Sequence, residues 1–338
     1  MSPPISHGSD QAVDLAIVGA GPVGLFAAFY AGLRQMSVKL IDSLDVLGGQ
    51  LVTLYPEKYI YDVPGFPRII AKRLAEQLIE QGMQYGAVPC LGEQVRSLDF
   101  DESKRTFLLK TSKAMHPART IIIAAGVGSF VPKKLPQAEA RQFEGNGVHY
   151  FVKALDAFQS QRVLIVGGGD SAVDWANMLA PIASQVTLIH RRDQFRAHED
   201  SVTKMRATPT KILTPFELKS IGGNGRVERA IVYDNRSKAE QSLDVDHVLV
   251  NIGFETSLGP IKDWGLNIEG GQIVVDSTMR TSRPGIFAAG DICTFPGKLK
   301  LIATGFGEAC IAVNYAKVYL DPEASAFPGH SSNMEVKK

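Results

Sequence analysis

Two short glycine runs carry the chemistry that is plainest in this chain. Gly19-Ala20-Gly21-Pro22-Val23-Gly24 has the spacing GxGxxG, and Gly167-Gly168-Gly169-Asp170-Ser171-Ala172 has GxGxxA. Each follows a short apolar run and precedes a helical pattern, the setting in which such glycines serve a phosphate. In the first run Gly19 permits a tight turn. Gly21 lets a pyrophosphate approach backbone that carries no Cβ, and Gly24 lets helix and strand pack closely. Pro22 suits the first helical turn, where its missing N–H costs nothing. The helix start then offers unpaired N–H groups and partial positive charge to the phosphates. In the second run Gly167 and Gly169 take the first two roles and Ala172 the third, with Asp170 and Ser171 opening the helix.

The residues that follow each turn differ in charge. The step from the last turn position to the end of the next strand is 18 residues in both cases, from 24 to 42 and from 172 to 190. The first step ends on Asp42, placed to accept hydrogen bonds from an adenosine ribose. The second ends on His190-Arg191-Arg192, with Arg196 a turn further on. A carboxylate there would repel a 2′-phosphate, whereas guanidinium groups bind one bidentately. The second site is therefore expected to prefer NADPH over NADH.

These residues need scaffolds to position them. Val13 to Val18 reads as a buried strand, Pro22 to about Arg34 as a helix and Val38 to Ile41 as a second strand. Val163 to Val166, Ser171 to Leu179 and Val186 to Ile189 repeat that order. Alternation marks further strands from Val227 to Val232 and from His247 to Ile252. Strands ending in glycine, Thr120 to Gly126 and His247 to Gly253, are expected to be the last of each sheet, with chain crossings just after them. The fold class is α/β: two Rossmann-like, three-layer ββα dinucleotide domains, the second inserted into the first. The boundaries are 1–126 for the first part, 127–254 for the insert and 255–338 for the return, with a C-terminal extension from about 322.

Composition narrows the partners. The 338 residues are 45% hydrophobic and 21% charged with a net charge of +1, so no strong field favours nucleic acid or a membrane surface. No segment is long and apolar enough for a bilayer, and the polar N-terminus carries no signal-peptide pattern. The three cysteines, Cys90, Cys293 and Cys310, suggest neither a disulfide framework nor a metal site, and a cytoplasmic setting fits. Cys293, without a partner, reads as a buried structural thiol.

GAGPVG, GGQL at Gly48 to Leu51, GGGDSA, HRRDQFRA and PGIFAAGD together resemble the thioredoxin-reductase-like flavoproteins over nearly the whole chain. That resemblance implies FAD in the first domain, NADPH in the insert and a homodimer. By it Asp291 meets the flavin's ribityl chain, and Gly49-Gln50 lies beside the isoalloxazine. The helix that begins at Ile302-Ala303-Thr304-Gly305 points its N-terminus at the pyrimidine edge. One departure matters. Thioredoxin reductases carry CxxC shortly before the second glycine run, where this chain reads His149-Tyr150-Phe151-Val152-Lys153-Ala154-Leu155. No dithiol relay is possible there.

Tyr55-Pro56-Glu57-Lys58-Tyr59-Ile60-Tyr61-Asp62 and Pro328-Gly329-His330-Ser331-Ser332 resemble more closely the thioredoxin-reductase-like ferredoxin–NADP reductases. In that subfamily the aromatic matching Tyr55 stacks on one flavin face. A C-terminal extension crosses the dimer and places a ring, here His330, on the other, with Ser331 and Ser332 near the flavin N5. Val95 is implied at the adenine side and Phe130 near the flavin. The activity implied is hydride transfer from NADPH to FAD, then single electrons to ferredoxin or flavodoxin, with no acid/base triad. An NADPH-dependent quinone, ferric-chelate or oxygen reductase shares every nucleotide motif. A nucleotide-holding sensor or scaffold is the non-enzymatic alternative.

Overall fold

The computed structural model describes residues 11–152, 154–327 and 329. The chain forms two compact units: residues 1–129 with 256–338, and residues 130–255. The chain thus crosses at 129/130 and 255/256, within the short strands Ser129–Pro132 and Phe254–Ser257.

In the first unit Val13–Val18 lies at the centre of a seven-stranded sheet, parallel to Val38–Ile41 on one side and to Met115–Ile123 on the other. Five of its six side chains and all four of Val38–Ile41 are buried. Such runs form strands covered on both faces, because no polar alternation offers one face to water. Helix Pro22–Leu33 covers one face and packs against Ala71–Gly82 and Ile302–Leu320. Close packing is needed there: a Cβ at Gly82 would lie 2.8 Å from the Leu25 carbonyl oxygen. The helix Ile302–Leu320 stops where Asp321 precedes Pro322, a residue that disfavours helical backbone before it. The strand ending near Gly126 is not the last of its sheet. Ile286–Ala288 returns late in the chain and pairs in parallel beyond it. Val95–Asp101, Thr106–Thr111 and the start of Met115–Ile123 form an antiparallel meander.

In the second unit the parallel order is Val148–His149, His247–Asn251, Arg162–Gly167, Gln185–Ile189, Lys211–Leu213. The glycine-ending strand His247–Asn251 is again interior, and the two-residue strand Val148–His149 takes the edge. An antiparallel sheet of Phe216–Gly222, Arg229–Asp234 and Glu240–Asp244 completes the unit. Its core draws on both sheets, from Leu164 and Val248 to Ala230 and Val232.

Candidate functional site

Both glycine turns have the geometry their spacing demands. Gly19 has φ +111°, and a Cβ there would meet the Ala124 carbonyl oxygen at 2.3 Å. Gly167 stands in the same relation to Asn251, also at 2.3 Å. By contrast, a methyl at Gly21 or Gly169 would meet nothing within 4 Å. These are the helix-capping positions of Pro22–Leu33 and Asp170–Leu179, and neither helix start has a side-chain cap. Room beside the backbone and uncapped donors together fit a pyrophosphate at each turn.

At the first turn Asp42 does more than face outward. Its carboxylate accepts from the Ala20 N–H at 2.6 Å and from the Leu44 N–H at 2.9 Å. Burial raises its carboxyl above the ordinary range, against the pull of those backbone donors. The segment behind it is tied in as well: Asp42 N–H donates to Cys90 and Glu93 N–H donates to the Asp42 carbonyl. Val95 follows on that segment, buried and paired with Thr111. Gly49, at φ +58°, sits so close to the first turn that a Cβ would lie 2.8 Å from Gly21 Cα. The Gln50 amide lies beside Gly126, where a Cβ would meet Nε2 at 3.2 Å.

Tyr55 and Asp291 share one neighbourhood. Burial pushes the Tyr55 hydroxyl up to about 12, and the Asp291 and Asp62 carboxylates add to it. Asp291 borders a small cleft of about 140 Å³ with Gly126, Gln272 and Lys300, and burial raises its carboxyl. Ile302 is half-buried, and Thr304 donates its hydroxyl to the Leu299 and Leu301 carbonyls at 2.9 Å. Phe130 lies in the crossing strand Ser129–Pro132, while His330, Ser331 and Ser332 lie outside the described residues.

Sequence reasoning missed what holds the Asp291 loop. Glu308 accepts from the Gly290 N–H at 2.7 Å and pairs with Lys298, both side chains being less than a tenth exposed. Gln272 donates to the carbonyls of Asp291 and Cys293 at 3.0 Å. Cys293 itself is buried, its thiol pushed up to about 12, mainly by burial. No motif signals the pair, because Lys298 and Glu308 meet only once the closing helix has formed.

The second turn opens on a cleft of about 620 Å³ lined by Gly168, Ser171, His190, Arg191, Arg192 and Arg196, among others. Asp170 accepts from the His198 N–H at 3.0 Å, and the Arg196 N–H donates to the Gly168 carbonyl at 2.8 Å. Ala172 is fully buried. His190 stacks on Phe195 with ring centres 5.5 Å apart. Its imidazole is held below its ordinary value by burial first, and then by the three arginines, against the Gln194 carbonyl. Lys133, Glu217 and Asn251 also line the cleft and were not foreseen. The Asn251 amide oxygen is buried and, among the described residues, without a donor. On the segment behind Asp42, Cys90, Glu93 and His116 gather in the first unit, where the Glu93 carboxylate already accepts from Thr111 and meets His116.

Two dinucleotide folds, one inserted within the other and each with its own phosphate turn, define a class of nucleotide-linked oxidoreductases. The profile of the pyridine nucleotide-disulphide oxidoreductases matches residues 13–309, and the chain belongs to that family. A protein of Bacillus subtilis strain 168 named ferredoxin–NADP reductase 2 is 52% identical over 96% of this chain and 98% of its own length. A ferredoxin–NADP reductase of Halalkalibacterium halodurans is likewise 52% identical, with the same coverage. Among solved structures, thioredoxin reductase of T. acidophilum matches with a TM-score of 0.79 at 28% identity, covering 93% of this chain and all of that one. Lactococcus lactis thioredoxin reductase (FR conformation) also gives 0.79, at 25% identity, covering 91% and 99%.

Proposed function

We propose that this chain is a ferredoxin- or flavodoxin-reducing NADPH enzyme, holding FAD on the first unit and NADPH on the second. What carries the reading is a thioredoxin-reductase fold whose three free cysteines, at 90, 293 and 310, offer no dithiol to receive electrons. Full-length relatives named ferredoxin–NADP reductase support the same acceptor class.

The bound nucleotides supply the hydride and single-electron chemistry; the chain binds, orients and shields them. Uncapped N–H groups after Gly21 and Gly169 hold the two pyrophosphates. Asp42 accepts from the FAD ribose while its other oxygen lone pairs keep the turn in place. Arg191, Arg192 and Arg196 take the 2′-phosphate. By the family resemblance Gln50, Tyr55, Asp291, Ile302 and Thr304 surround the flavin, and Val95 lies at its adenine side. The same resemblance implies a homodimer. No helix among the described residues is long and apolar enough to cross a membrane, and a cytoplasmic enzyme fits that.

The test is spectroscopic. The purified protein is expected to carry FAD, to be bleached by NADPH far more readily than by NADH, and to be reoxidised by added ferredoxin or flavodoxin. Turnover with a quinone or ferric chelate that far outpaces any iron–sulfur or flavin carrier would replace this reading with the alternative acceptor.

A further inference from the structure

The loop that carries the three arginines is fastened from two sides. On the side of the glycine turn, Arg196 N–H donates to Gly168 and Asp170 accepts from His198. The opposite side is held by the tight turn that joins strands Arg229–Asp234 and Glu240–Asp244. Asn235 Nδ2 donates to the Arg191 carbonyl at 2.8 Å and lies 3.2 Å from Glu217 Oε1. Asn235 is fixed by its own N–H to the Pro215 carbonyl at 2.9 Å. Next to it, Arg236 forms an ion pair with Asp193, between Arg192 and the rest of the loop. Asp234 builds this turn by accepting from the Ser237 and Arg236 N–H groups at 2.9 and 2.7 Å, which hold its carboxyl below the usual range.

The arginines need this help. Among the described residues, the guanidinium groups of Arg191, Arg192 and Arg196 have no hydrogen-bond or carboxylate partner, yet they lie close enough to act together on His190. Like charges on an exposed loop spread apart unless the backbone beneath them is fixed. The carboxylate nearest in sequence, Asp193, is occupied by Arg236 and so is kept from neutralising them.

We propose that Asn235 and Arg236 are positioning residues for dinucleotide choice: the turn from 234 to 238 holds the arginine loop in the shape that accepts an adenosine 2′-phosphate. The proposal rests on the reading that the second cleft takes NADPH. Asn235→Ala removes the bond to Arg191, and Arg236→Gln releases Asp193. Binding of NADP+ and NAD+ to the FAD-loaded protein is measured by titration calorimetry. Each variant is expected to weaken NADP+ by about fivefold, the ordinary net worth of one hydrogen bond. NAD+ should change by less than about twofold. Steady-state KM should rise for NADPH with kcat held. Equal loss for both nucleotides, or no loss for NADP+, overturns the proposal. Arg236→Gln alters only an exposed side chain, so it decides the matter even where Asn235→Ala lowers the melting temperature. If the unaltered protein binds NAD+ as tightly as NADP+, the assignment of the cleft fails, and this proposal with it. A preference intact in the unaltered protein and in both variants removes only the role of the turn.

Discussion

The two nucleotide turns follow one backbone plan but close it with opposite wiring. In the first unit the acid stands at the strand end, and Asp42 reaches back to the Ala20 N–H. In the second the acid stands at the helix start, and Asp170 reaches forward to the His198 N–H. The first bond ties the turn to the strand end, and the second ties it to the far end of the arginine loop, where helix Glu199–Arg206 starts. Placing the carboxylate in the turn, however, frees the strand end for cations, and the arginines occupy it. A change of cofactor charge at such a site is thus more than the swap of one side chain. The structural duty of the acid has to be moved elsewhere.

A second difference concerns the last turn position. A Cβ at Gly24 would stand 1.8 Å from the Gly19 carbonyl oxygen, whereas the second unit already accommodates the methyl of Ala172. The sharpest way to test this contrast is Gly24→Ala. It forces backbone apart, and the variant is expected to emerge colourless, with a melting temperature lowered by more than several degrees on a thermal scan. Next in size is the charge contrast. Arg191→Ala combined with Arg192→Ala should weaken NADP+ by roughly ten- to a hundredfold while leaving NAD+ nearly unchanged, since each removes a charge-assisted contact. A parallel loss of NAD+ would mean that the arginines serve the loop rather than the phosphate.

Asp42→Asn tests the wiring itself. One of two backbone donors loses its acceptor and faces an amide N–H instead, which costs about 1–3 kcal/mol. Chemical denaturation should show that loss, and fluorescence should show faster FAD release. An unchanged protein would mean that the strand-end acid is dispensable to the turn.

The paired imidazoles offer a third contrast. His116 of the first unit meets a carboxylate, Glu93, at 2.8 Å, while His149 of the second meets the ring of His247 at 2.9 Å. Burial, and then His247, lower the His149 imidazole to about 4. Below pH 6.5 the unfolded chain therefore takes up a proton that the folded one refuses. Stability contributed by the neutral ring is present above that pH and is lost as pH falls toward 4. Melting temperatures should decline through this window, and His149→Gln should flatten the decline. The smallest expected effect is that of Ala172→Gly, no more than about 1 kcal/mol by helix propensity, with nucleotide binding retained.

Much of this contrast was legible from residues alone. The strands Val13–Val18 and Val38–Ile41 fall where the apolar runs put them, because full burial leaves composition as a clear signal. Both glycine turns and the strand-end residues sit as their spacing required. Other features were silent for physical reasons. One edge strand of each sheet has only two or three residues, Val148–His149 and Ile286–Ala288, too short to show any period. The Lys298–Glu308 pair and the Asn235 bond link positions that only tertiary packing brings together.

Cys293 follows from that buried pair. It sits two residues past Asp291, with its sulfur 3.3 Å from the Gly290 carbonyl and its thiol pushed up to about 12. Thiolates are the species that attack peroxides and disulfides, and here almost none forms at physiological pH. The loop that holds Asp291 therefore carries a buried sulfur and keeps it chemically mute, so a burst of oxidant should spare Cys293 more fully than the half-buried Cys90 and Cys310.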